Sequence, residues 1–427
     1  MDIIPIKKEE RNFNGIDYFL FWTGVAISLA EIWAGAFLAP LGLLVGIIVI
    51  LLGHMIGNTF LGLGGIIGSD YGISSMVSVR PSFGIKGANI ASLFNIIQLI
   101  GWAAILLIIA ANAGAILGKF YGGLLGSYKL WAVIIGLLTL IWALYTGKTV
   151  WKYMQILACF VMMYVIVVMT YMTFKNVDIS NFTFHSGSKL HFMTALDLVI
   201  AMPISFLPIV ADYSRFAKST KRAFTSTWLG YFIISAWMYI LGLGGVILLG
   251  EQDPTRLILK SFAIIGLAIP ALCMVIFSTV TSNFPDLYSA TCSMKSMSNK
   301  INDKLLMTVF AVLIILIALI FPMDQYENYL FIIGAMFIPL FGVVLTDYFI
   351  IRKRKLNINN IDKKNGEYWY SKGYNLIAII SWLIGFCLYL MIKDCYIGGS
   401  IPSIVTAGVI YYFLTKAKWS GRIAGIK

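Results

Sequence analysis

The stretch Phe19–Leu44, FLFWTGVAISLAEIWAGAFLAPLGLL, decides how this chain is built. It is long and apolar enough to cross a bilayer, which takes about 20 residues. Near its middle stands Glu31. A carboxylate at bilayer depth costs about 2.5–3.5 kcal/mol on insertion scales, so it calls for a polar cavity and a task. Gly24, Ser28, Gly35 and Pro40 around it weaken a continuous helix. The segment reads as a transmembrane helix that opens its backbone where it carries a charge, a combination typical of solute transporters.

Working outward, the rest of the chain agrees. It has 427 residues, 59% hydrophobic and 12% charged, with a mean hydropathy of +0.87. A soluble protein would carry about 25% charged residues. Twelve stretches are long enough to span: 18–39, 43–67, 87–117, 129–147, 152–174, 193–216, 226–249, 257–283, 304–322, 327–351, 374–392 and 399–415. We number them spans 1 to 12. The net charge of +13 invites a nucleic-acid partner. The distribution of Lys and Arg argues against one. With the amino terminus inside, the outer loops hold seven (Lys119, Lys129, Lys175, Lys189, Arg256, Lys260 and Lys393), and the inner loops and tails hold the other 25 of 32. The positive-inside rule therefore predicts a multi-pass protein of the plasma membrane with both termini cytoplasmic.

The expected layout is a cytoplasmic tail (1–17), a ten-span core (18–351), a basic cytoplasmic loop (352–373), two accessory spans (374–415) and a second tail (416–427). No cleavable signal peptide is visible. Cys159, Cys273, Cys292, Cys387 and Cys395 show no CxxC pairing, and His54, His185 and His191 show no ligand spacing. There is no Walker-type motif for ATP. Transport would have to draw on an ion gradient.

Span 6, ALDLVIAMPISFLPIVADYSRF (Ala195–Phe216), is also interrupted, by Pro203 and Pro208 with Ser205 between them. Broken spans five apart make the two halves of the core, 18–174 and 193–351, antiparallel in the membrane. This inverted repeat places a ligand site at the midplane between the breaks. Spans 3 and 8 then correspond. In span 3, Asn95, Gln98 and Trp102 share a face. The indole offers a flat surface and the amides both donate and accept, which suits a planar heterocycle; interhelical glue is the other reading. In span 8, within FSTVTSNFPDLYSA (Phe277–Ala290), Ser278, Thr281, Ser282 and Asp286 share a face. Hydroxyls with carbonyls of an unwound helix are the hard oxygen donors that a small cation takes, although Ser and Thr also bond back to their own helix. Asp212 with Arg215, and likewise Asp347, read as structural charges near the interface. Tyr18 and Trp22 read as interfacial anchors.

Four segments resemble a known family. SSMVSVRPSFGIKGA (Ser74–Ala88), ADYSRFAKS (Ala211–Ser219), TDYFIIRK (Thr346–Lys353) and YWYSKGYN (Tyr368–Asn375) resemble, in order, motifs of the nucleobase–cation symporters. AISLAEIWAG, NIIQLIGW and the span 8 segment look most like the hydroxymethylpyrimidine permease branch. The resemblance implies an all-α integral membrane protein of twelve helices, a five-plus-five inverted repeat of the leucine-transporter type with two extra C-terminal helices. It implies that Trp102 stacks the substrate, and that Ser205, beside Met202 and Pro203, lines the pocket. The usual second pocket aromatic has no clear match, and Phe206 is the nearest. Asn283 or Asp286 fills a substrate-binding position of span 8. Leu106 stands where some members have glutamine, and Gln98 one turn earlier takes its place. Ser278, Thr281 and Ser282 match the span 8 side of the family's sodium site, whose partners would be the carbonyls of Ala26, Ile27, Leu29 and Ala30.

The expected function is import of a pyrimidine-type heterocycle coupled to sodium or a proton. Trp102 stacks the ring, and Gln98, Glu31 and Asp286 read its polar edge. Spans 1, 2, 6 and 7 rock against spans 3, 4, 8 and 9. No organic cofactor is called for. A cytosine or purine permease, an amino-acid transporter of the same fold, and a membrane-embedded enzyme using Glu31 and Asp286 as an acid–base pair are the alternatives.

Overall fold

The computed structural model describes residues 5–146, 148–175, 177–178, 190–264, 266–298 and 300–419. His185 and Lys189 lie outside them. Among the described residues, nine helices are long and apolar enough to cross a membrane, or ten if one bent pair counts as a single span. The pair is span 1, Gly15–Ala26 and Leu29–Ala36, which turns by 58° at its break. Leu376–Ile392 is a shorter apolar helix, and Ser400–Trp419 follows it.

Span 1 breaks for local reasons. Its first half starts on a reciprocal cap, in which Asn14 accepts from the amides of Ile16 and Asp17 while Asp17 accepts from the amide of Asn14. It ends where Ile27 (φ −75°, ψ 85°) and Ser28 (φ −138°, ψ 132°) leave the helical region. Ser28 then caps the second half, its hydroxyl accepting from the amide of Ala30 at 3.2 Å. Span 6 divides into Phe192–Ile204 and Leu207–Ser214 but keeps its direction and crosses as one 23-residue unit.

One expected boundary moves. Residues 257–283 are not a single helix: Pro254–Ala263 is a short separate helix capped by Asp253, and span 8 is Ala268–Met297. Pro285 lies inside that helix, so Asp286 is part of span 8 and not beyond its end.

Two groups of spans face each other. Span 7 (Thr220–Leu249) lies along both halves of span 1 and along span 2 (Leu43–Tyr71), which also carries span 6. Span 3 (Ala88–Lys119) lies along span 8, with span 4 (Tyr128–Tyr145) and span 9 (Asp303–Ile320) against both. Small residues set the spacing in the first group. A side chain added at Gly53, Gly57, Gly64 or Gly68 of span 2 would run into Val199, Pro203, Leu207 or Ala211 of span 6. Without a hydrophobic drive between helices in lipid, such close backbone approach is a main source of packing energy.

Candidate functional site

A cavity of about 130 Å³ lies between the two groups at the break in span 1. Residues of the opened segment, Val25 and Ile27 to Glu31, form one wall. Span 3 supplies Trp102, span 6 supplies Met202, Ser205 and Phe206, and span 8 supplies Ser278, Thr279, Ser282 and Asp286. A water molecule needs roughly 10–15 Å³ on such a measure, so there is room for a small organic solute.

The two carboxylates there differ in their partners. Glu31 is 2% exposed, accepts a 2.7 Å hydrogen bond from Tyr231 of span 7 at Oε1, and among the described residues has no hydrogen-bond partner at Oε2. It stands in the first turn of the second half of span 1, where the helix dipole favours an anion. Asp286 lines the cavity from the opposite side, and among the described residues no hydrogen bond reaches its carboxylate. Trp102 is 9% exposed, with Tyr326 and Tyr329 edge-on to its ring at 6.0 and 5.5 Å. Its indole N–H finds no hydrogen-bond partner among the described residues.

Of the other residues expected at the site, Ser205, Phe206, Ser278 and Ser282 line the cavity, as do Ile27, Leu29 and Ala30. The rest do not reach its wall, and the structure gives most of them other partners. Gln98 donates to Asn95 Oδ1 and to the carbonyl of Ser205, both at 2.8 Å, and so ties span 3 to the interruption of span 6. Asn95 donates to Ser293 at 2.9 Å, and Asn283 to the carbonyl of Ala103 at 3.1 Å. Thr281 turns back to the carbonyl of Ser278 at 2.9 Å. Ala26 is fully buried behind the wall. Thr279 does line it and was not anticipated.

Trp22 and Tyr18 are not interfacial anchors. Both are buried, and Trp22 lines the cavity edge-on to Phe206 at 6.0 Å. Tyr18 donates to the carbonyl of Tyr213. Their i, i+4 spacing was the available signal, since it puts both on one face of a capped helix. Asp212 forms no ion pair with Arg215 among the described residues; it accepts from the amide of Ser75 at 2.9 Å, while Arg215 lies over the ring of Phe216.

Three of the four sequence motifs are joined to one another away from the cavity, at one end of the bundle. Arg80 pairs with Asp362. Asp347 pairs with Arg352 at 2.7 Å and accepts from Ser82 and Tyr411. Tyr370 donates to the carbonyl of Pro81, and Asn375 to that of Ser82. The first, third and fourth motifs form a latch between loops, whereas the second also reaches the cavity, which Tyr213 lines.

Over residues 5–414 the sequence matches the family described as permeases for cytosine/purines, uracil, thiamine and allantoin. The chain belongs to that family. This permease is therefore a transporter and not an enzyme, and its nucleobase–cation symporter character agrees with the motifs. It is 23% identical to the hydantoin permease of Microbacterium maritypicum over 78% of this chain and 72% of that one. It is 25% identical to the allantoin permease of Bacillus subtilis over 75% and 72%. Its fold is that of Mhp1, a nucleobase–cation symporter. The match to the inward-facing form has a TM-score of 0.85 at 22% identity, covering 98% of this chain and 93% of that one. The match to the closed form with bromovinylhydantoin has 0.83 at 21%, covering 98% and 95%.

Proposed function

We propose that this permease imports a substituted pyrimidine, hydroxymethylpyrimidine first, in symport with sodium or a proton. The observation that carries the reading is the meeting of an indole, two carboxylates and an opened backbone on one small cavity. The ring stacks on Trp102, worth roughly 1–3 kcal/mol by analogy with base–aromatic stacking. Glu31 and Asp286 accept from ring N–H, exocyclic amine or hydroxyl groups. An unpaired polar edge in a dry site costs about 1–3 kcal/mol, which excludes close analogues. Ser205 and Phe206 close the pocket from span 6. Gln98, Asn95 and Asn283 serve by holding spans 3, 6 and 8 in register.

A sodium ion would be held by Ser278 and Ser282 with the carbonyls of Ile27, Leu29 and Ala30. The proposed frame has twelve spans, both termini in the cytoplasm, a ten-span core (18–351) and two accessory spans, set in the plasma membrane. Its two groups of spans rock to give alternating access.

A ligand-stabilisation panel of hydroxymethylpyrimidine, cytosine, allantoin, hydantoin and an amino acid tests the substrate class. The pyrimidine should give the largest rise in melting temperature, and a larger rise with the amino acid would sink the reading. Trp102→Ala should weaken binding by about 10- to 100-fold while the protein still inserts; wild-type affinity in that variant would remove the stacking role. Uptake into proteoliposomes without sodium separates the two ions.

A further inference from the structure

The outer surface of the bundle carries an apolar groove that the transport reading does not use. It lies between span 10 (Tyr326–Leu345, continued as a π-helix over Thr346–Ile351) and span 12 (Ser400–Trp419). A side chain added at Gly342 would meet the carbonyl of Ile404 at 2.6 Å, and one added at Gly408 would meet Oγ1 of Thr346 at 2.6 Å. Contacts that advance four residues on both helices mean that the two run parallel and in register. The groove encloses about 470 Å³. Gly342, Thr346 and Ile350 line it from span 10, and Ile404, Gly408 and Tyr412 from span 12. From Gly342 to Ile350 the helix rises about 12 Å. One leaflet of the hydrocarbon core is about 15 Å deep, so the groove follows most of the path of an acyl chain.

Its lower mouth is at the latch end of the bundle, where Tyr411, next to Tyr412, donates to Asp347 at 2.8 Å. Among the described residues no acidic side chain lines the groove. One turn beyond Tyr412 stands Lys416, its ammonium 4.6 Å from the centre of the Tyr412 ring. The carboxylates at this end are already taken. Arg352 holds Asp347 and Glu367, Arg80 holds Asp362, and Arg354 holds Asp70. Lys416, and exposed Lys353 three residues past Ile350, form no ion pair among the described residues. A tyrosine and two uncompensated lysines at the mouth of an apolar groove set an amphipathic ring and positive charge at headgroup depth.

We propose that this groove binds one anionic phospholipid, with an acyl chain laid between spans 10 and 12 and the phosphate on Lys416 and Lys353. A zwitterionic headgroup carries its own cation beside the phosphate, so it gains little from the two lysines. A second copy of the chain fits the mouth poorly. Packed here about a two-fold axis, it would set its own Lys416 against this one, and like charges oppose that contact. The bound lipid holds span 12 to span 10 and, through Tyr411 and Asp347, supports the latch. The site is independent of which solute the permease carries.

The test is the melting temperature of the full-length protein in a neutral detergent, titrated with dioleoyl phosphatidylglycerol or dioleoyl phosphatidylcholine. Phosphatidylglycerol should give a saturable rise, and phosphatidylcholine little. A lysine near an anionic headgroup is worth about fivefold in affinity, so Lys416→Gln should raise the midpoint of the titration about fivefold. Lys416 also complements the dipole at the end of span 12, but losing that role lowers the melting temperature equally with and without lipid. Lys221 is exposed at the same end, beside Thr220, which donates to Asp70, and Lys221→Gln should leave the midpoint unchanged. Equal rises with both lipids, no rise with either, or equal shifts in the two lysine variants overturns the site. So does a rise that accompanies dimer formation, which would give the groove to a second copy. Val405 lines the groove and is 55% exposed, so Val405→Trp fills it from the surface and should abolish the phosphatidylglycerol rise; an undiminished rise overturns the site. Should that variant fail to fold, native mass spectrometry decides. One phosphatidylglycerol retained by the wild type and lost from Lys416→Gln supports the site, and equal retention by both overturns it.

Discussion

Spans 1 and 6 are both interrupted, and their interruptions are built differently. Span 6 is broken by proline. Pro203 and Pro208 remove amide donors, yet proline's own φ suits a helix, and Ser205 (φ −59°, ψ −22°) and Phe206 (φ −90°, ψ −7°) stay close to the helical region. The loose ends are then tied. The amide of Ser205 is shared between Ala201 and Met202, its hydroxyl donates to Met202 at 2.6 Å, and its carbonyl accepts from Gln98. Span 1 contains no proline at its break. Ile27 makes a tight turn in which the amide of Ser28 donates to the carbonyl of Ala26 at 3.0 Å, Ser28 itself is extended, the axis turns by 58°, and no hydrogen bond among the described residues reaches the carbonyl of Ile27. A proline defect whose carbonyl is tied by a neighbouring span is a joint, whereas a break that leaves the carbonyl of Ile27 open offers backbone to a ligand.

The sharpest way to break this contrast is at the packing that holds the second half of span 1. A side chain at Gly35 would stand 2.6 Å from the Cα of Tyr239 on span 7, and backbone cannot step aside as a side chain can. Gly35→Ala should cost about 3 kcal/mol, at the upper end for overpacking, read as a fall in melting temperature in detergent with loss of ligand binding. An unchanged melting temperature would mean that span 1 is not fixed there. Next in size is the joint in span 6. Gln98→Ala leaves the Ser205 carbonyl and Asn95 without their donor, and should cost about 2 kcal/mol of stability while binding by the retained protein changes little. Binding lost with stability intact would make Gln98 a solute ligand instead of a tie. Smallest is the cap. Ser28→Ala removes the acceptor for the amide of Ala30 and should cost about 1 kcal/mol, seen as up to about fivefold weaker solute binding in a titration.

Much of the frame was legible before any coordinates. Glu31, the flanking Gly and Ser residues, and the prolines of span 6 marked both breaks. The four motifs pointed to the family, although three of them prove to be a latch and only Tyr213 of the second lines the cavity. The site was read less well, for a geometric reason. Successive residues turn about 100° round a helix, so a polar stripe covers a broad arc. In span 8 the cavity face centres near Ser282. Thr281, one residue earlier, lies about 100° away and bonds its own helix, while Thr279 falls inside the arc. Gln98 sits on the flank of the face that Trp102 centres. Trp22 and Tyr18 failed for another reason: an aromatic at the start of a span serves equally at a lipid interface and inside a bundle, and composition does not separate the two.

The amino-acid sequence by itself determined that this chain lives in a membrane, which spans give up regular helix, and which acids had to be sheltered, because hydropathy and backbone preference are local properties. Only the tertiary structure decided which side of each helix looks into the chamber. Rotation about a helix axis is set by contacts between distant segments, such as the glycines of span 2 seated against span 6, and no local pattern encodes it.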